Sequence, residues 1–189
     1  MNRISASLVV AATALVGLAL HAEDFRPLMK TTQATWPAKQ HIGVICDYPA
    51  SQDAVLALAR AAGEGAYITV VDARSWDKAV PAAHLIANHH ADYLVLLPGD
   101  RMFRDGSIGA TQAISQLGRR GVPAIATTPV ALRQGAVFSV GDGTNGELLV
   151  TDRLIGTVDV ILPSRTMTEK GALVLREAGM ATVTVLAPE

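Results

Sequence analysis

His41-Ile42-Gly43-Val44-Ile45-Cys46-Asp47-Tyr48-Pro49 is the stretch on which the fold turns. Up to Cys46 it is a short, mostly apolar run, too short for a helix and containing β-branched Ile and Val, as expected of a strand buried on both faces. Asp47 to Ala50 breaks the run. Ser51 is a candidate helix cap, and Ser51 to Ala62 carries Val55, Leu56, Leu58 and Ala59 on one side before Gly63 and Gly65 end it. A strand, a sharp break and an amphipathic helix make half of a βαβ unit.

The unit repeats downstream. Ala66 to Val71 reads as a strand, Asp72 to Trp76 as a loop, and Lys78 to His90 as a helix with Pro81 tolerated in its first turn. Tyr93 to Leu97 is a third strand, closed by Pro98-Gly99-Asp100, and a long loop leads to a helix at Ile108 to Arg119. Pro123 to Ala126 is a fourth strand, followed by Thr127-Thr128-Pro129 and a short helical turn. Ala136 to Val140 is a fifth, ending in Gly141-Asp142-Gly143. Strands alternating with helices predict an α/β fold, a three-layer sandwich around a mostly parallel five-stranded sheet. Glu147 to Leu162 holds both a helical stripe and good strand formers, and helix is preferred. Thr168 to Ala178 reads as a helix and Thr182 to Leu186 as a weakly alternating edge strand.

Upstream, Met1 to Ala22 has Arg3, an uncharged apolar run from Ile4 to Leu20 and a small-residue end at Leu20-His21-Ala22. This is the pattern of a cleaved signal peptide, so the mature chain is expected to be exported, with a periplasm as the natural compartment. Residues 23–40 show no clear period and are expected to be an extended leader on the domain surface, pinned by Trp36. Residues 41–189 form the single lobe.

The 189 residues are 50% hydrophobic and 17% charged, with a net charge of −1, which is the opposite of a disordered profile. Near-neutral charge without a Lys/Arg run argues against a nucleic-acid partner. Aromatic residues make up 4%, too few for a stacking platform, and the single cysteine rules out an internal disulfide and a multi-cysteine zinc site.

Four segments carry a family likeness: His41 to Pro49, Ala91 to Gly99 (ADYLVLLPG), Gly121 to Thr128 (GVPAIATT) and Gly135 to Asp142 (GAVFSVGD). Together they resemble one lobe of the uncharacterised ABC-transporter substrate-binding family, of the type 1 periplasmic-binding fold. Thr157 to Leu162 and Lys170 to Pro188 are similar to the helix and tail that close that lobe. Family members close two lobes on a ligand, whereas this chain has room for one. The resemblance therefore implies either a lobe that rebuilds a cleft with another chain, a homodimer included, or one turned into an interaction module.

In open parallel sheets, ligands sit beyond the carboxyl ends of the strands. That edge collects Asp47, Tyr48 and Ser51 after the first strand, Asp100 after the third, Thr127 and Thr128 after the fourth, and Gly141, Asp142 and Thr144 after the fifth. A helix starting at Ser51 is expected to aim backbone N–H groups at that edge, suiting a small anion. The resemblance implies the same loops as ligand-facing, although all these residues are also ordinary turn and capping types. Gly141 to Gly146 matches neither a Walker loop nor a dinucleotide fingerprint. His84, His89 and His90 lack metal-site spacing on a helix, and Cys46 is read as buried and inert.

No catalytic pair stands out. The expected role is a non-enzymatic, exported binding module with no cofactor and no metal. It would take a small-molecule ligand at a shared cleft, or a partner protein such as a membrane transporter, a sensor or a periplasmic enzyme. The alternative is a small flavodoxin-like enzyme or cofactor carrier.

Overall fold

β1 (His41–Cys46) lies inside a mostly parallel sheet, between β2 (Tyr67–Asp72) and β3 (Tyr93–Val95). Cys46 pairs with Asp72 on one side, and Ile42 pairs with Tyr93 on the other. The structure is a computed structural model that describes residues 24–140, 148–150 and 180–188. Beyond β3 the sheet continues through β4 (Ala124–Ala126), β5 (Phe138–Val140) and β6 (Leu148–Val150); beyond β2 it ends in β7 (Thr182–Leu186). The order is β6-β5-β4-β3-β1-β2-β7, and only β6 runs antiparallel to its neighbour.

The expected α/β three-layer architecture is the one observed, but seven strands rather than five are present among the described residues. One of the two beyond those five is β7, the edge strand expected at Thr182 to Leu186, which pairs in parallel with β2 from Tyr67↔Thr182 to Val71↔Leu186. The other is β6. The sequence favours a helix over 147–162, yet Leu148 to Val150 return alongside β5, with Val140 opposite Leu148. Strand propensity and a neighbouring sheet edge outweigh the helical spacing there. The expected helix at 168–178 and residues 151–162 lie outside the described residues.

The central strands alternate sharply between two cores. Ile42, Val44, Cys46, Ile68, Val70, Tyr93, Val95 and Ile125 face one side. Ile45, Val71, Leu94, Leu96, Ala124 and Ala126 face the other. Both faces being covered, the strands read as unbroken apolar runs. On the second face lie α3 (Ala79–Asn88), α4 (Ile108–Gly118) and α5 (Val130–Gln134). Gly43 lets α3 approach closely, because a Cβ there would stand 2.6 Å from Ile86 Cγ2. Gly109 does the same for the first turn of α4, where a Cβ would meet the Met102 carbonyl oxygen at 2.5 Å.

The first face holds α2 (Tyr48–Ala62) and a helix where an extended leader was expected: α1 (Arg26–Thr35). Its buried stripe is Phe25, Leu28, Met29, Thr32 and Trp36. Thr32 disguises the period in the sequence. Inside, its hydroxyl donates to the Leu28 carbonyl at 2.8 Å, so it sits in an apolar stripe without an orphan group. Pro27 falls in the first turn, where no N–H is missed. Trp36 does pin the segment: its ring lies 5.9 Å from that of Tyr93 and 5.1 Å from that of Phe138. α2 thus covers the β1–β2 side of the face, and α1 the β3–β5 side. Residues 1–22, the expected signal peptide, lie outside the described residues. Among the described residues no helix is long and apolar enough to cross a membrane.

Candidate functional site

The chain leaves β1 for β2 in one direction, then crosses back to β3 on the other side of β1. The carboxyl ends of β1 and β3 therefore flank the reversal point, where open α/β sheets bind ligands. Asp47, Tyr48, Ser51 and Asp100 all stand there, as the sequence implies.

The donors there, however, are directed inward. Asp100 is buried, and its carboxylate collects four donors from two segments. Oδ2 accepts the Asp47 N–H at 2.8 Å and the Ser51 hydroxyl at 2.9 Å. Oδ1 accepts the Met102 and Phe103 N–H groups at 2.8 and 2.7 Å. Asp100 and Ser51 are thus partners of one another. Ser51 is also not the cap: α2 begins at Tyr48, with Pro49 in the first turn and Asp47 at the N-cap without a side-chain capping bond.

A second carboxylate sits beside the first. Asp72, at the end of β2, accepts the Tyr48 N–H at 3.0 Å and an ion pair from Arg74 at 2.8 Å. Its bond from the Arg74 guanidinium holds its pKa below the usual carboxylate range. The N–H groups of Ala50 and Ser51 return to the Asp47 carbonyl. The expectation of free donors at the start of this helix is therefore corrected: the donors are taken, two of them by the chain's own carboxylates. A further anion there would meet like charge.

Thr127 and Thr128 lie past β4. The Thr128 hydroxyl donates to Asp105 Oδ2, which joins the β4 loop to the β3 loop. Burial pushes the Asp105 pKa up, partly offset by that bond. Asp105 Oδ1 and Thr127 Oγ1 are buried without a hydrogen-bond partner. Gln134 ties the same corner from α5, accepting the Gly106 N–H at 2.7 Å and donating to the Ser107 carbonyl at 2.9 Å. Neither Asp105 nor Gln134 was singled out from sequence, because both sit in segments without period. Gly141, Asp142 and Thr144 lie outside the described residues.

Cys46 is fully buried at the end of β1, and burial, with the carboxylates of Asp100, Asp72 and Asp47 nearby, drives its thiol pKa far up. That environment suits packing and opposes nucleophilic chemistry. His84 lies within α3 and His89 and His90 at its end. Among the described residues no group of three or more His, Cys, Asp or Glu is placed to hold a metal ion.

The outer surface of the carboxyl edge is apolar at three places. Trp76 is 53% exposed, Ile108 65% and Val130 44%. Each follows the carboxyl end of a strand and stands at or next to the start of an element on the second face: a 3-10 turn at Trp76–Lys78, then α4, then α5. Those elements pack side by side. In the sequence, Trp76 and Ile108 stand only as element boundaries, and Val130 falls in the short helical turn after Pro129. Ile108 directly after the cap Ser107, and Val130 directly after Pro129, were visible as apolar residues outside the buried stripe of their helices.

A scan against protein-family models gives no match to this chain, and a search of the curated proteins gives none either.

Proposed function

We propose that the chain is a non-enzymatic, exported binding module that takes a partner protein against the carboxyl edge of its sheet. The observation that carries this reading is the division of labour at that edge. The backbone donors of Asp47 and Tyr48 and the Ser51 hydroxyl are taken by Asp100 and Asp72, while Trp76, Ile108 and Val130 stand exposed on neighbouring elements. Large apolar side chains exposed on adjacent elements suit an interaction surface. The resemblance to one lobe of a periplasmic binding protein is consistent with this, since the same edge faces the second lobe in that family.

Two other readings have specific support. Asp105 Oδ1 and Thr127 Oγ1 lack partners, which favours a small polar ligand shared with another chain, such as a second copy. The order β2-β1-β3-β4-β5 is also the flavodoxin-like order. Against a flavin, the loop after β1 offers carboxylates where a phosphate needs donors, and bound flavin would colour the purified protein.

Native mass spectrometry of the exported protein tests the proposal, alongside a variant carrying Trp76→Ser, Ile108→Ser and Val130→Ser. A retained protein partner that the variant loses, at an unchanged urea midpoint, is the expected result. A bare monomer in both, or association that the variant keeps, overturns it.

A further inference from the structure

An open surface hollow of about 410 Å³ lies at the other end of the sheet, at the amino ends of β1, β3 and β4. That volume is in the range of small-molecule sites. Its polar lining is Lys39, His90, Asp92 and Arg120, set over a floor that includes Ala91 and Val122. The Asp92 carboxylate faces the chain itself: Oδ2 accepts the N–H groups of Gln40 and His41, each at 2.9 Å. It holds the wall formed by the segment entering β1. The lining thus carries two permanent cations against one carboxylate already engaged by backbone donors.

His90 adds a conformational argument. α3 and α4 end in the same motif. After α3, the His90 N–H bonds the Ala87 carbonyl and the Ala91 N–H bonds that of Ile86. After α4, the Gly121 N–H bonds the Gly118 carbonyl and the Val122 N–H that of Leu117. In both, one residue takes the left-handed conformation that favours glycine. It is glycine at 121 (φ 76°) and histidine at 90 (φ 58°), the sole non-glycine residue with positive φ among the described residues. Because these bonds already satisfy the terminal carbonyls, neither His90 nor Arg120 is needed to cap them. His90 thus occupies a left-handed position where glycine fits best, at the rim of the same hollow as two cations.

We propose that this hollow binds a small organic anion, its carboxylate or phosphate head held by Arg120, Lys39 and His90 and its compact apolar body resting on Ala91 and Val122. Arg120 supplies a planar fork of donors, and Lys39 a mobile point charge. The site is separate from the carboxyl edge and does not depend on the role proposed for it.

The test uses n-butyl phosphate and pentanoate, titrated into the whole protein and followed by amide resonances. Saturable shifts confined to the segments around Lys39, Ala91 and Val122 are expected with one or both probes. Whichever probe binds identifies the head group. Arg120→Ala and His90→Gly should each weaken that binding about tenfold, the worth of one charge-assisted hydrogen bond. His90→Gly should at the same time melt no lower than the parent, because glycine relieves the left-handed conformation. No saturable shift at millimolar probe overturns the proposal. So does binding that both variants leave intact, which marks adventitious screening of surface charge.

Discussion

Ser51 Oγ donates to Asp100 Oδ2 at 2.9 Å across the gap between the first turn of α2 and the loop after β3. Together with the Asp47 N–H on the same oxygen, this contact latches the β1 and β3 ends of the sheet. Asp100→Ala leaves four donors without their acceptor, two of them in the loop that leads to α4. A loss of about 3 kcal/mol in urea unfolding is expected, against about 1 kcal/mol for Ser51→Ala. If Asp100→Ala unfolds at the parent midpoint, the carboxylate is no latch.

Trp36 is predicted to be the main fastening of α1. Trp36→Ala removes contacts to Tyr93 and Phe138 at once and should cost about 3–5 kcal/mol. Half-buried Lys39 reaches within 6.0 Å of the same ring, a contact worth far less, so Lys39→Ala is expected to be nearly neutral by comparison. Equal midpoints for the two variants would show that α1 is held elsewhere.

α1 also shows where sequence reading reached its limit. The βαβ repeat was legible because both cores demand apolar strands, and Val55, Leu58 and Ala59 of α2 followed from spacing alone. Thr32 concealed the stripe of α1, since a polar letter says nothing of a hydroxyl that bonds to its own helix. β6 was hidden for another reason: Leu148 to Val150 suit helix and strand alike, and only the exposed flank of β5 decides between them. At the candidate site, the positions of Asp47, Ser51 and Asp100 could be foreseen from the sheet rule. That Asp100 would consume the donors of α2 could not, because the pairing joins segments about fifty residues apart.

Gly43 and Ile86 should behave as a coupled pair. Gly43→Ala places a methyl 2.6 Å from Ile86 Cγ2 and is expected to destabilise by about 1–3 kcal/mol. Ile86→Ala alone opens a cavity costing about 2–5 kcal/mol. The double variant should be less unstable than the sum of the two, as a double-mutant cycle in denaturant would show. Simple additivity would place the clash elsewhere.

Cys46 is expected to resist a thiol reagent at pH 8 in the folded protein and to react at once in urea. Its raised pKa leaves almost no thiolate, and burial closes access to it. Rapid labelling of the native chain would contradict the packing described for β1.

His41 gives a pH signature with a definite sign. Burial lowers its pKa below 6.5, with Asp92 offsetting part of the effect. The unfolded chain therefore takes up this proton more readily than the folded one. Stability is full above 6.5 and falls as pH drops from there through the folded pKa. His41→Gln should flatten that part of the melting-temperature profile. Replacing it also removes the ring nitrogen bonded to Thr69 Oγ1 at 2.8 Å, so the comparison is of slopes, not of absolute midpoints.

The place of α1 on the sheet sets an order of assembly. The helix is near the start of the described chain, yet its seat is built partly from Phe138, in the fifth strand. Neighbouring βαβ units can condense as they emerge, but Trp36 must wait for most of the sheet before it has a surface to meet. Closure of this face is thus a long-range, late event with a large loop-closure entropy, and folding should show a slow phase that Trp36 fluorescence reports.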